Sequence, residues 1–350
     1  MTESTNDIIL QMQDVTKYFP VKRGLIDQLT GIPHQYVRAV DGISFELKRG
    51  EVLGLVGESG SGKTTTGRLA VGLLKPTSGK VIFNGIDINA ISAEELRKLR
   101  RHMQVIFQDP MASMNPRMTL GEGIGRGLKI HGLVSNNTEF RARVIEMLNH
   151  VGLTPGEAYI DRYPHQISGG QRQRAVIARA LITNPQLIMA DEPIAMADVS
   201  VRSVLLQLMK DLQQEFNLTY LFITHDLATT KYICDRIGVM YLGEIVELAD
   251  IRSIYTNPQH PYTQSLLAAV PVPDPRHRRS APMPRGEIPS PINPPSGCRF
   301  HPRCPIAQDI CKQERPKLKP VAGKSDHIAA CHLKTGDYIH LLPKEAAAST

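Results

Sequence analysis

Long apolar runs are missing from this chain of 350 residues. No window approaches ~18 uncharged apolar residues, which excludes a membrane-spanning helix. A basic segment before an apolar stretch is missing too. The start, MTESTNDIIL, is acidic and does not read as a signal peptide, so the expected compartment is the cytoplasm. Internal repeats are absent. Cysteine is scarce before residue 298, where the only example is Cys234 in the apolar stretch YICDRIGVM. It reads as a small buried hydrophobe.

What is present suits a globular protein. The length fits two domains, at about 100–200 residues each. The hydrophobic fraction of 41% can bury a real core and argues against disorder as the main state. Proline and charge are unevenly spread. Residues 256–350 hold 16 of the 25 prolines, and residues 271–320 carry 10 Lys/Arg against 4 Asp/Glu. That segment therefore accounts for most of the net charge of +7. Four of the five cysteines lie in residues 256–350. A regular, nearly neutral body is thus expected up to about residue 255, followed by a basic tail poor in long helices, since proline lacks the N–H donor.

The body alternates strands and helices. Residues 39–48 (AVDGISFELK) alternate as a half-buried strand does. Short apolar runs at 51–56, 81–84, 103–107, 187–190 and 220–224 read as further strands. Segments 64–74, 139–151, 171–181 and 201–216 read as helices, the second from apolar spacing at Val144, Met147, Leu148 and Val151. Strand–helix alternation of this kind predicts an α/β fold with a parallel sheet covered on both faces.

Between the strand EVLGLV and the next helix lies GESGSGKT, residues 57–64, which fits G-x-x-x-x-G-K-[ST]. The glycines let backbone N–H groups curl around an anion without Cβ clashes. The helix N-terminus that follows adds positive dipole charge and free donors. Gly57, Glu58, Ser59, Gly60, Ser61, Gly62, Lys63, Thr64 and Thr65 are the candidate triphosphate-binding residues. Lys63 would reach the β- and γ-phosphates, and Thr64 would ligate Mg²⁺. Downstream, the apolar strand LIMA ends in Asp191 and Glu192. Paired carboxylates at a buried strand end are costly unless they bind something. Asp191 suits the Mg²⁺ shell, and Glu192 suits a general base acting on the attacking water.

Many nucleotide triphosphatases share those two motifs. The sequence ISGGQRQRAVIARAL, with Ser168, Gly169, Gly170 and Gln171, lies 20 residues before Asp191 and leads into an Arg-rich helix. Here the chain resembles an ABC-type ATPase over about residues 8–250, with Ile167 where the family usually has Leu. The resemblance implies a P-loop nucleotide-binding domain with antiparallel β and α-helical subdomains, residues 1–255, the helical part at about 100–180. It implies that Ser168–Gln171, with Asp198 after them, serve ATP held by a second ATPase subunit. Gln108, closing VIFQ, matches the glutamine that touches Mg²⁺ and water. His225, closing LFITH, matches the switch histidine. Phe19 stands where an aromatic ring stacks on adenine. The segment DEPIAMADVS departs from the family pattern at Ile194, Met196 and Ala197.

The tail, residues 256–350, begins NPQHPYT and continues through PPSGCRFHPRCPIAQDIC. It resembles the small Pro/Cys-rich C-terminal extension of oligopeptide/dipeptide importer ATPases. Cys298, Cys304, Cys311 and Cys331 are spaced C-x5-C-x6-C-x19-C. Cytosolic disulfides are disfavoured, and structural zinc commonly uses tighter C-x2-4-C pairs. A [4Fe–4S] cluster held by four thiolates, a zinc ion and free structural thiols all stay open from the residues. The resemblance implies the cluster, and a proline-rich tail with few apolar positions suggests a metal staple. His301, His327 and His332 read as bystanders. The basic run Arg276–Arg279 reads as a solvated face or a contact with anionic lipid. The resemblance further implies an ATP-hydrolysing peptide-importer subunit at the cytoplasmic face of the membrane. Its expected partners are a second, different ATPase chain, two permease subunits and an external binding protein. Import of oligosaccharide or nickel by the same machinery is the alternative. An ABC ATPase acting on nucleic acid would want a long coiled coil or zinc insert between Lys63 and Ser168, and neither is present, so no nucleic-acid partner is expected.

Overall fold

The computed structural model describes residues 7–21, 34–270, 286–321, 323–335 and 338. The basic run at 276–279 lies outside the described residues. In chain order the strands are β1 (Ile8–Pro20), β2 (Tyr36–Lys48), β3 (Val52–Val56), β4 (Ser78–Phe83), β5 (Ile86–Asp87) and β6 (Met103–Ile106). They continue with β7 (Leu187–Asp191), β8 (Thr219–Thr224), β9 (Arg236–Tyr241), β10 (Glu244–Asp250), β11 (Lys319–Val321) and β12 (Lys324–Ala329). The helices that frame the site are α1 (Lys63–Ala70), α2 (Leu120–Ile130), α3 (Asn137–His150), α4 (Gly169–Leu181), α5 (Val199–Phe216) and α6 (Pro261–Ala269).

Two sheets result. One is antiparallel, in the order β2-β1-β4-β5. The other is mixed, in the order β11-β12-β10-β9-β3-β8-β7-β6. Its middle is parallel: β3 pairs with β8 and β9, and β7 with β6 and β8. Every residue of β3, β7 and β8 is buried. Alternate side chains of these strands go to opposite faces. Val52, Val56, Ile188, Ala190, Tyr220 and Phe222 join one core, which α2, α3 and α4 complete. Leu53, Leu55, Leu187, Met189, Leu221 and Ile223 join the other, shared with the antiparallel sheet. Buried central strands with both faces covered put their carboxyl ends at one edge, where α/β folds place ligands.

The helix expected over 64–74 is shorter, ending at Ala70. Val71 caps it, and Gly72 follows with φ +65°, a left-handed residue that stops the helix.

The tail corrects one physical expectation. It does not rely on a staple alone, because its described part packs into the body. Strand β12 pairs antiparallel with β10, matching Glu247 with Ala329 and Leu248 with Ile328. Tyr262, Phe300, Ala329 and Leu333 are fully buried. A buried carboxylate ties the junction. Glu247 accepts from the backbone N–H groups of Gln259 (2.7 Å) and His260 (2.8 Å), and His327 Nε2 lies 2.7 Å from its Oε1. Burial holds His260 neutral, with its pKa pushed down to about 4, and its Nδ1 accepts from Tyr262 N–H at 3.1 Å to cap α6.

Candidate functional site

The phosphate-loop candidate, residues 57–65, runs from the end of β3 into α1. Its backbone needs glycine at two points. A Cβ on Gly57, at φ +154°, would meet Met240 O at 2.2 Å. One on Gly62, at φ +104°, would meet Ala39 O at 2.2 Å. Lys63 is buried inside the loop it closes. Its Nζ donates to Gly57 O (2.8 Å), Glu58 O (3.0 Å) and Ser61 Oγ (3.4 Å). Desolvation pulls the Lys63 ammonium pKa down, and the carboxylates of Glu192, Asp191 and Glu58 oppose that pull. An ammonium spending its donors on its own loop in this way can hand them to phosphate oxygens.

Beside it, Thr64 Oγ1 donates to Asp191 Oδ1 at 2.9 Å. Asp191 is buried at the end of β7, and desolvation raises its pKa, an effect offset in part by Thr64 and the cations Arg68 and Lys63. A part-buried hydroxyl–carboxylate pair beside a lysine is a donor set of hard oxygens, which fits a divalent cation such as Mg²⁺.

A second cluster adjoins this one. Gln108 Nε2 donates to Glu192 Oε2 at 3.1 Å, and His225 Nδ1 lies 2.9 Å from Glu192 Oε1. Three segments distant in sequence thus meet on one carboxylate, because β6, β7 and β8 end at the same edge. Glu192 itself is left-handed, φ +48°, unusual for a residue with a side chain. Strained backbone of this kind is frequent at functional positions.

The remaining sequence candidates lie apart from these clusters. Phe19 sits on β1, about one-third exposed, with Lys17 Nζ 5.2 Å from its ring centroid. Ser168 caps α4 with a reciprocal capping box to Gln171. Ser168 and Gly169 are exposed, and a Cβ on Gly169 would meet nothing within 4 Å. Asp198 caps α5 without a side-chain hydrogen bond. Among the described residues, no hydrogen bond or ion pair joins Ser168–Gln171 or Asp198 to the phosphate loop.

In the tail, Cys298, Cys304, Cys311 and Cys331 line one small cavity. Burial pushes the thiols of Cys298 and Cys304 up to about 12 and that of Cys331 to about 11. Among the described residues, no three His, Cys, Asp or Glu side chains converge as ligands of a single metal ion. Cys234 is buried against Gly54 in the body, with burial raising its thiol pKa far above the ordinary value.

Sequence reasoning missed two residues that touch the loop. Tyr262 Oη accepts from Glu58 N–H at 2.9 Å, and Arg303 makes a bidentate pair with the Glu58 carboxylate. No motif links either to the loop, which lies some 200 residues earlier.

The comparisons with known proteins agree with this architecture. The ABC transporter family model matches residues 40–195, and the model for the oligopeptide/dipeptide transporter C-terminal region matches residues 246–311. The chain is 50% identical to the oligopeptide transport ATP-binding protein AppF of Bacillus subtilis, over 95% of this chain and 99% of that one. It is 47% identical to OppF of Salmonella typhimurium, over 93% and 96%. Among solved structures, the dimeric ATP-binding cassette MJ0796 bound to ADP and Pi aligns with a TM-score of 0.61 at 31% identity, covering 70% of this chain and 99% of that one. Fold, loop and acidic edge define an ABC-type ATPase. The chain belongs to the ABC transporter family, among its oligopeptide transport ATP-binding proteins.

Proposed function

We propose that this chain hydrolyses ATP to drive uptake of peptides through a membrane permease. The observation that carries the reading is the meeting of Lys63, Thr64, Asp191, Glu192, Gln108 and His225 at one sheet edge, in a chain about half identical along nearly its full length to relatives named for oligopeptide transport. Residues 1–255 form the nucleotide-binding unit, with its helical part at about 100–180, and residues 256–350 the importer extension.

In this reading Lys63 and the N–H groups of residues 57–65 hold the triphosphate. Thr64, Asp191 and Gln108 would hold Mg²⁺, which would supply positive charge against the phosphates. Glu192 takes a proton from the attacking water, with His225 and Gln108 orienting its carboxylate. Phe19 offers a ring to adenine. Ser168, Gly169, Gly170, Gln171 and Asp198 serve the nucleotide of the opposing ATPase subunit, which their exposure and local bonding support. Met196, two-thirds exposed in the same region, suits burial by that partner.

A groove of about 430 Å³ between β6 and α2, lined by Met103, Met114, Met118, Ile130, Arg126 and Arg179, suits a permease loop. Methionine-lined grooves adapt to such segments. Among the described residues no helix is long and apolar enough to cross a membrane. The chain would act peripherally, at the cytoplasmic face, with a second ATPase chain, two permease subunits and an external binding protein.

The cysteine cavity is read as a [4Fe–4S] site. Four thiols share one cavity, Lys334 lies near Cys331, and burial raises the thiol pKa of Cys298, Cys304 and Cys331, which favours their protonated form unless a cation draws the protons off. In a cluster each thiolate binds its own iron, so the sulfurs need not converge as around one ion. Such a cluster would supply a crosslink among the four segments. Anaerobic purification should give a brown protein with about four irons per chain. Zinc, or no metal, would overturn this part.

The test of the main reading is uptake. Cells carrying Glu192→Gln in place of the native chain should lose import of labelled di- and oligopeptides. Retained peptide import with loss of oligosaccharide or nickel uptake would replace the substrate and keep the ATPase.

A further inference from the structure

The phosphate loop is held from outside by the C-terminal extension, through one residue. Glu58 is the second residue of the loop. Its N–H donates to Tyr262 Oη at 2.9 Å. Its carboxylate is forked by Arg303, Nη1 to Oε2 at 2.8 Å and Nη2 to Oε1 at 3.1 Å. Its carbonyl accepts from Lys63 Nζ at 3.0 Å. All three polar groups of Glu58 are therefore engaged, two of them by the extension.

The two outside partners are themselves fixed. Tyr262 is fully buried, with its ring centroid 4.7 Å from that of Tyr241 and 5.4 Å from that of Phe300. Tyr241 follows Met240, whose carbonyl is the wall against Gly57. The Arg303 guanidinium lies 5.9 Å from the ring centroids of both Tyr241 and Phe300, and its side chain is only 8% exposed. Rigid aromatic packing and a bidentate charge-assisted pair fix geometry more firmly than a surface contact does.

The electrostatics gives this arrangement a purpose. A loop that binds a triphosphate has no use for a carboxylate, yet Glu58 lies close enough to Lys63 to influence it. Arg303 pairs with that charge and offsets it. Tyr262 takes the N–H that would otherwise be free to reorient the loop.

We propose that Tyr262 and Arg303 are positioning residues of the nucleotide site, setting the loop's conformation and charge through Glu58. This rests on reading residues 57–65 as the phosphate loop. The extension thereby tunes ATP affinity rather than serving only as a structural appendage.

The test is equilibrium binding of a fluorescent ATP analogue with Mg²⁺ to the full chain, together with KM and kcat in the assembled transporter. Tyr262→Phe keeps the ring stack and loses only the hydroxyl. Arg303→Ala leaves the Glu58 charge bare. Each should raise Kd and KM by about 3- to 10-fold while leaving saturated kcat within about twofold. Adding Glu58→Gln to Arg303→Ala should recover most of the lost affinity, because the uncompensated charge is gone. A role in stability alone would lower the melting temperature without splitting KM from kcat and without that rescue, and would overturn the proposal. Lys63→Ala is the control for the underlying reading. If it abolishes binding while Tyr262→Phe and Arg303→Ala bind like wild type, the proposal falls and the phosphate loop stands. If Lys63→Ala binds like wild type, the phosphate-loop reading falls and the proposal with it.

Discussion

The phosphate loop and the Ser168–Gln171 turn are both helix N-termini built from glycine and serine, yet they are held in opposite ways. The loop is exposed only at Ser59 and Gly60, and it is tied by hydrogen bonds to β7, to the extension and to its own lysine. Where a Cβ is placed on Gly57 it strikes backbone, whereas on Gly169 it meets nothing. The turn is exposed at Ser168 and Gly169. Ser168 Oγ accepts from Gln171 N–H, Gln171 Oε1 accepts from Ser168 N–H, and Gln171 Nε2 donates to Tyr159 Oη. One N-terminus is finished within this chain, and the other is presented outward. That difference supports a nucleotide held by one subunit and covered by another.

The largest expected effect concerns the finished half. Glu192→Gln keeps an oxygen for His225 or Gln108 to approach but removes the base, so single-turnover hydrolysis should slow by about 10²–10⁴-fold with ATP still bound. Near-wild-type turnover in a pair whose other site is also disabled would remove Glu192 from its role.

Next comes the division of labour between the two N-termini. Lys63→Ala should abolish ATP binding by the isolated chain. Ser168→Arg should leave that binding intact but prevent ATP-driven dimerisation, since a long charged side chain would stand on the exposed face. Calorimetry for binding and light scattering for assembly separate the two. Matching defects in both assays would erase the contrast drawn above.

Glycine substitutions sharpen the same contrast at smaller cost. Gly57→Ala should destabilise the monomer by about 1–3 kcal/mol, through positive φ and a backbone clash. Gly169→Ala should leave monomer melting within about 0.5 kcal/mol, as a substitution into open space. It should still weaken dimerisation. A monomer equally damaged by both would mean that the turn is not open.

How much of this was legible follows the same logic of local against distant determination. The β3–loop–α1 unit reads directly from sequence because the apolar run, the glycines and the helix are contiguous. Strand β1 does not, because a bulge at Asp14, φ +48°, breaks its alternation between Met12 and Val15. Helix α2 (LGEGIGRGLKI) does not stand out as a helix by its residues, since glycine lowers helix propensity. The fold uses those glycines for close packing: a Cβ on Gly125 would lie 2.3 Å from the Phe140 ring, and one on Gly121 2.5 Å from Ile160. The pairing of β12 with β10 and the Arg303–Glu58 contact depend on segments far apart in the chain, and nothing in either segment announces the other.

The smallest effect expected is also the one that ties site chemistry to stability. Asp191 is buried beside Thr64, and desolvation raises its pKa above the ordinary carboxylate value. A raised carboxylate favours the folded state when protonated. That contribution is fully present below the unfolded pKa, near ~3.9, and is lost as pH rises through the raised folded value. At neutral pH the nucleotide-free protein therefore carries the cost of a buried charge. Asp191→Asn removes the charge while keeping an acceptor for Thr64. The variant should melt about 1–2 °C higher than wild type at pH 7 without nucleotide. The gap should close as both are moved toward pH 4, where the wild-type carboxyl becomes neutral as well. With Mg²⁺ and ATP the order should reverse, because the native carboxylate gains the cation that the amide holds poorly. A variant that melts lower than wild type at pH 7 without nucleotide would show that Asp191 is a structural partner of Thr64, not a charge held ready for a cation.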